Sequence, residues 1–278
     1  MSVADANLTV SPGGRRPFLL RELTDMFRYW DVFRSLVSRD FKARYRAKIL
    51  GVFWSIGDPL VMMFVYTLVF TYMFAKNVPA YPVVLLLGLC PHRYFANGVT
   101  GATNSLLEYS PLVKRVAFPR HLLPLAVLAS HLLHFFIELC LVILVSLKYP
   151  GSLKVSSAMI WLPVVFAVQI SYMTGLAFIC ATLNVWFRDI QYMLRSGILV
   201  LYWLTPIFYP ASFIPERLEP FFWFNPMAGV VIGYRRILME TLPPDLTFLS
   251  VGAGVSVVLV LVGVSLFRRR EGTFSDYV

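Results

Sequence analysis

The chain has 278 residues, 58% hydrophobic and only 14% charged, with a formal net charge of +10 and a mean hydropathy of +0.69. A soluble domain carries roughly 25% charged residues to clothe its surface, so this composition excludes one and marks a polytopic membrane protein. Nor does the positive charge indicate a nucleic-acid partner. Ten of the 25 Lys and Arg residues precede Gly51, and Arg268, Arg269 and Arg270 close the last apolar run, which is the positive-inside pattern.

Residues 1 to 17 are polar, with Pro12, Gly13 and Gly14, and read as a mobile leading segment. From Leu20 onward helical spacing sets in. Phe33, Val37, Phe41, Tyr45 and Ile49 recur every four residues, and Arg39, Lys42, Arg44, Arg46 and Lys48 fill most of the positions between. The spacing predicts a basic amphipathic helix over 35–48 that lies along a membrane surface with its cations in the headgroup layer. Residues 1–48 thus form a cytosolic amino-terminal segment and 49–278 a transmembrane domain. From Ile49 to Ala75 there is no Lys or Arg and a single acid, Asp58. About 20 apolar residues cross a bilayer core at 1.5 Å rise each, so this stretch spans it. The basic collar before it sets the amino-terminal side as cytosolic. The run is too long for the apolar core of a cleavable signal peptide.

The fold class that follows is an all-α integral membrane protein. Six spans are expected at about 50–74, 83–106, 121–147, 160–187, 194–208 and 246–267, with both termini cytosolic. The second span contains Pro91, which should kink it, followed by His92 and Arg93. The segment LLEYSPLVKRVAFPR over 106–120 carries Lys114, Arg115 and Arg120, so it is cytosolic, and Pro111 and Pro119 bound a helical turn or two. Arg188 and Asp189 mark a tight cytosolic turn. The segment 210–245 is too polar to cross and too apolar for a plain loop, which suits short helices dipping back into the outer leaflet. Cys90, Cys140 and Cys180 fall in apolar segments, as small core residues would rather than a disulfide framework.

The chain has no GxxxxGK[ST] phosphate loop, no HExxH and no nucleophile elbow. Any energy source therefore lies on a partner or in an ion gradient. His131, His134 and Glu138 sit at i, i+3 and i+7 and share one face of the third span. They read either as metal ligands or a proton relay, or as a polar seam packed against other helices. Arg93 falls at the same depth, so an Arg93–Glu138 pair accounts for both charges; the alternative turns Arg93 toward a conduit and an anionic substrate. Asp58-Pro59 either couples to protons or caps and kinks the first span. Tyr202, Trp203, Phe208, Tyr209 and Trp223 could stack on sugar rings or form an interfacial aromatic belt.

The blocks SRDFKARYRAKILGVFWSIGDPL, GATNSLLEYSPLVKRVAFPR, LNVWFRDIQYML and TPIFYPASFIPERLEPFFWFNPMAGVVIGYRRIL, in this order, resemble the membrane subunit of ATP-binding-cassette polysaccharide exporters, those that carry O-antigen, capsule or teichoic acid. The resemblance covers nearly the whole chain from about residue 35. It implies a six-span permease that forms a homodimer in the bacterial inner membrane and pairs with two separate ATPase subunits, on which ATP and Mg bind; this chain holds no cofactor and no metal. Its substrate would be a polysaccharide on a polyprenyl diphosphate lipid. Contact with the ATPase would fall to the amphipathic helix and the 106–120 segment, through Arg39, Asp40, Arg44, Arg46, Lys114, Arg115 and Arg120. Many members carry neutral residues where Asp58 and Arg93 stand. Two rival readings are an ATP-driven exporter of lipids, drugs or peptides, and an ion-coupled carrier using Asp58, Glu138 and the histidines.

Overall fold

The computed structural model describes residues 27–45, 53–73, 78–116 and 118–278. The expectations for residues 1–26, Arg46, Lys48 and Ile49 lie outside the described residues, as does the side chain of Arg115. Among the described residues every regular element is helical.

In chain order these are α1 (Trp30–Tyr45), α2 (Trp54–Leu68, prolonged by a π turn over Val69–Met73), α3 (Tyr81–Glu108), α4 (Ser110–Arg115), α5 (Leu122–Ser146), α6 (Leu162–Trp186), α7 (Ile190–Leu204), α8 (Glu219–Trp223), α9 (Pro226–Arg235, prolonged by a π turn over Arg236–Glu240), α10 (Leu246–Arg270) and α11 (Phe274–Tyr277). Helical segments at Trp54–Thr71, Leu122–Ser146, Ser157–Trp186 and Leu246–Tyr277 are long and apolar enough to cross a membrane. Two expected spans fall short of that measure for identifiable reasons. The 28 residues of α3 are ample in length, but Pro91, His92 and Arg93 interrupt its apolar run. The 15 residues of α7 cover little more than 20 Å at 1.5 Å each, less than a hydrocarbon core of about 30 Å.

α3 is the axis of the bundle. All ten residues from Tyr81 to Cys90 are buried, as expected of a helix apolar all round. It packs on α5, α6, α9 and α2, while α2 itself buries only Pro59. Lipid tails are as apolar as leucine, so close packing, not removal of apolar surface from water, holds such helices together. The α6–α10 contact depends on this. A Cβ added to Gly175 would come within 2.5 Å of the Leu259 backbone, and one added to Gly263 within 2.5 Å of the Gly175 carbonyl oxygen. Only glycine allows that approach.

The stretch between α7 and α9 is irregular, and irregular backbone at membrane depth needs internal hydrogen-bond partners. Arg235, at the end of the fully buried α9, supplies them. Its Nε donates to Val84 O at 3.0 Å, Nη2 to Val84 O at 2.8 Å and Ile207 O at 2.6 Å, and Nη1 to Pro206 O at 2.6 Å and Tyr209 O at 3.0 Å. Gly88 leaves the room, since a Cβ there would lie 2.8 Å from Nη2.

Candidate functional site

An amphipathic helix covers the described part of the expected stretch, and its inward face is wider than four-residue spacing gives: Phe33, Phe41 and Tyr45 do turn inward, but so do Leu36, Asp40 and Arg44. The buried line of α1 is Phe33, Leu36 and Asp40. Asp40, expected at the headgroups or an ATPase, points instead into the packing against α5, where it accepts a hydrogen bond from the Ser130 hydroxyl. Arg44 Nη2 donates to the same carboxylate oxygen at 2.6 Å, and Nη1 lies 3.4 Å from His131 Nδ1. Arg44 too is thus turned toward α5. A buried carboxylate is tolerable there because both partners are supplied. Phe41 stacks on His134 with ring centres 5.1 Å apart, and the Tyr45 hydroxyl meets both His134 Nδ1 and Ser55. The outward face carries Arg39 and Lys42, both exposed, with Arg39 over the Tyr109 ring at 5.0 Å.

Between α1, α2, α3, α5 and α7 lies a cavity of about 570 Å³. His131, His134 and Glu138 all line it, as their shared helix face requires. Arg93 enters from α3 and donates from Nε to Glu138 Oε1 at 3.0 Å. The pairing expected from depth is therefore present, and a second acid joins it: Asp58 Oδ2 lies 3.6 Å from Arg93 Nη2. One guanidinium bridges carboxylates on α2 and α5. Arg44, Arg195, Trp54, Tyr45, Asn97 and Thr100 complete the polar and aromatic wall. Arg195 and Trp54 were not singled out by spacing, because they come from separate elements, and Tyr45 was read only as part of the apolar face of α1.

This wall offers donors, acceptors and charges of both signs to whatever occupies it, which the surrounding lipid cannot. Among the described residues no group of three His, Cys, Asp or Glu side chains is arranged to hold a metal. The His131–His134–Glu138 face is engaged otherwise, by Arg44, by Tyr45 and Ser55, and by Arg93.

The expected glycan-stacking aromatics divide. Phe208 is only 2% exposed, its ring enclosed by Tyr66, Phe70, Tyr202 and Trp203 at 4.5–5.9 Å between centres, so it is core and not a platform. Tyr202 donates to the Tyr66 hydroxyl at 3.1 Å. Trp223 packs on the Ala228–Ile232–Phe248 cluster, and Tyr209 beside Tyr81 and Phe208. Trp203 is the one of the five that is largely exposed. Of the cations expected at an ATPase, Lys114 is exposed on α4, whereas Arg120 is held by Glu271. Arg46 lies outside the described residues.

Several membrane-length apolar helices with a charged cavity among them define a multi-pass membrane protein. The chain matches the ABC-2 type transporter family over residues 31–239 and belongs to that family. It is 31% identical over 262 residues to the O-antigen export system permease protein RfbA of Myxococcus xanthus, covering 94% of this chain and all of that protein. An RfbA of Klebsiella pneumoniae is 28% identical over 249 residues, 89% of this chain and 95% of its own length. The polysialic acid transport protein KpsM of Escherichia coli is 25% identical over 247 residues, 85% of this chain and 92% of its own length.

Proposed function

We propose that this chain is the membrane-spanning subunit of an ATP-driven exporter of a cell-surface polysaccharide, of the O-antigen type. The observation that carries the reading is end-to-end similarity to permeases named for O-antigen export, with a second set of relatives named for polysialic acid transport. The charged cavity amid apolar helices supports it, since a hydroxyl-rich or anionic chain needs a polar path through lipid.

The finer reading is as follows. Six segments cross the bacterial inner membrane, with α3 and α7 as the second and fifth spans and both termini cytosolic. The chain works as a homodimer with two separate ATPase subunits, which bind ATP and Mg. The exposed basic face of α1 and the Lys114 side of α4 face those subunits, and α8 and α9 form the re-entrant outer layer. The cargo is a polysaccharide on a polyprenyl diphosphate carrier, moved from the inner to the outer leaflet.

The test is reconstitution. The chain is purified together with a candidate ATPase subunit and placed in proteoliposomes containing lipid-linked glycan. The expected result is a dimer of permeases whose ATP turnover rises with the glycan lipid and which moves glycan across the bilayer only with ATP. Movement driven by an ion gradient without any ATPase would overturn the reading in favour of a carrier. Turnover responding to free lipid, drug or peptide but not to glycan would overturn the substrate class.

A further inference from the structure

Residues 271–278, EGTFSDYV, follow the final long helix. In the structure they fold back. A 3-10 turn over Glu271–Thr273 leads into α11, and the Phe274 side chain is 0% exposed. Its ring lies 5.0 Å from Phe267 on α10 and 5.7 Å from Trp186 at the end of α6. Tyr277 covers Trp186 from 5.8 Å, and the Arg270 guanidinium sits over that indole at 5.5 Å. The tail is thus anchored to the ends of the two most closely packed helices.

Its other side holds the 106–120 segment. Glu271 Oε1 accepts the backbone N–H of Arg120 at 2.9 Å, and the Glu271 carbonyl accepts from Arg120 Nη1. That N–H belongs to the turn leading into α5, one residue before its N-cap His121. A carboxylate there also meets the positive end of a 25-residue helix. α11 packs on α4 as well. The segment needs such support. α4 has six residues with Pro111 inside its first turn, and isolated helices below about 12 residues are marginal.

We infer that residues 271–278 are a positioning brace: they lock the 106–120 segment in the stance in which it receives a cytosolic partner subunit. The part concerning the partner rests on the proposed function; the brace itself does not. Glu271 is the joint, and the Phe274–Trp186 contact is the anchor. The segment then follows the ends of α6 and α10 as one body, and movement of either reaches its face through Glu271 and the packing of α11 on α4.

The experiment has two arms on the full-length permease in nanodiscs. The first measures amide hydrogen exchange without any ATPase, comparing wild type with Glu271→Ala, Glu271→Gln and Phe274→Ala. Loss of a charge-assisted joint should raise exchange over 106–120 by about tenfold in Glu271→Ala, and less in Glu271→Gln, which keeps an acceptor. Exchange in the middle of α6 and α10 should not change. Unaltered exchange over 106–120 in Glu271→Ala and Phe274→Ala would overturn the brace, and so would an equal rise throughout the bundle. The second arm titrates the ATPase subunit against each variant. The half-saturating concentration should rise about tenfold in Glu271→Ala and recover in Glu271→Gln. A loosened segment with unchanged titration would overturn the link to the partner. Failure of the wild type to engage any ATPase would strike the functional reading alone, and the exchange arm would still decide the brace.

Discussion

Arg93 faces two acids, and their environments make the consequences of removing each one unequal. Glu138 is 6% exposed at its side chain and depends on Arg93, whereas Asp58 is 55% exposed on the cavity wall. Removing the guanidinium leaves a buried carboxylate unpaired, at a cost of about 3–5 kcal/mol. Arg93→Met is therefore expected to lower the melting temperature of the purified permease more than Glu138→Gln, because in the latter Arg93 still has Asp58. The double change should recover part of the loss. Strict additivity of the two single effects would show that the pair is not coupled. Arg235 is the opposite case, a buried cation held by four backbone carbonyls rather than by a paired carboxylate. A lysine offers three donors at one point and cannot cover that spread. Arg235→Lys should cost roughly 2–3 kcal/mol, the penalty of a buried carbonyl or two left without a donor, measurable as earlier unfolding in detergent. Neighbouring Arg236, paired with the part-exposed Asp245 at 3.1 Å, should tolerate the same change. In the sequence the two arginines look alike, and only the fold separates them.

At the scale of the element, apolar runs and charge breaks already locate the helices, and the ends of α5 fall within a residue of expectation. The inward face of α1 was less legible. Four-residue spacing picks out Phe33, Val37, Phe41 and Tyr45, whereas the buried line includes Asp40, because its partner Ser130 lies 90 positions away. The Phe208 ring misleads for the same reason: an aromatic near a proline-rich segment reads as surface, and its enclosure by Tyr66 and Phe70 depends on tertiary packing. The His131–His134–Glu138 face was readable because it lies on one helix. The cavity it lines was not, since its other walls come from four more elements. Glycines divide in the same way. Gly175→Ala places a Cβ 2.5 Å from the α10 backbone and should destabilise by about 1–3 kcal/mol, as overpacking does. Gly254→Ala, on the same α10 with nothing within 4 Å, should be neutral or stabilising by up to about 1 kcal/mol. Thermal unfolding of the two variants side by side checks the contact.

Across the whole molecule, α1 joins an exposed basic face to the cavity wall. Its outer side presents Arg39 and Lys42, and its inner side carries Asp40, Arg44 and Tyr45 into contact with Ser130, His131 and His134 of α5. A partner gripping the outer side would thus hold one element whose other side borders the cavity. Charge reversal separates the two roles. Arg39→Glu with Lys42→Glu changes exposed groups only, so the permease should keep its melting temperature. Its association with the ATPase subunit should weaken about tenfold at low salt, and the deficit should shrink at 0.5 M salt, where the Debye length is only about 4 Å. Arg44→Glu sets a second carboxylate against Asp40 beside His131, so it should cost about 3–5 kcal/mol in the permease alone, before any partner is added. Loss of the ATPase in Arg44→Glu is then a consequence of a disrupted α1–α5 contact, not of a lost docking charge. The measurement is paired: melting temperature of the isolated permease and affinity for the ATPase at two salt concentrations. If the Arg39–Lys42 reversal leaves affinity unchanged while Arg44→Glu lowers affinity with the melting temperature intact, the assignment of the two faces of α1 is reversed.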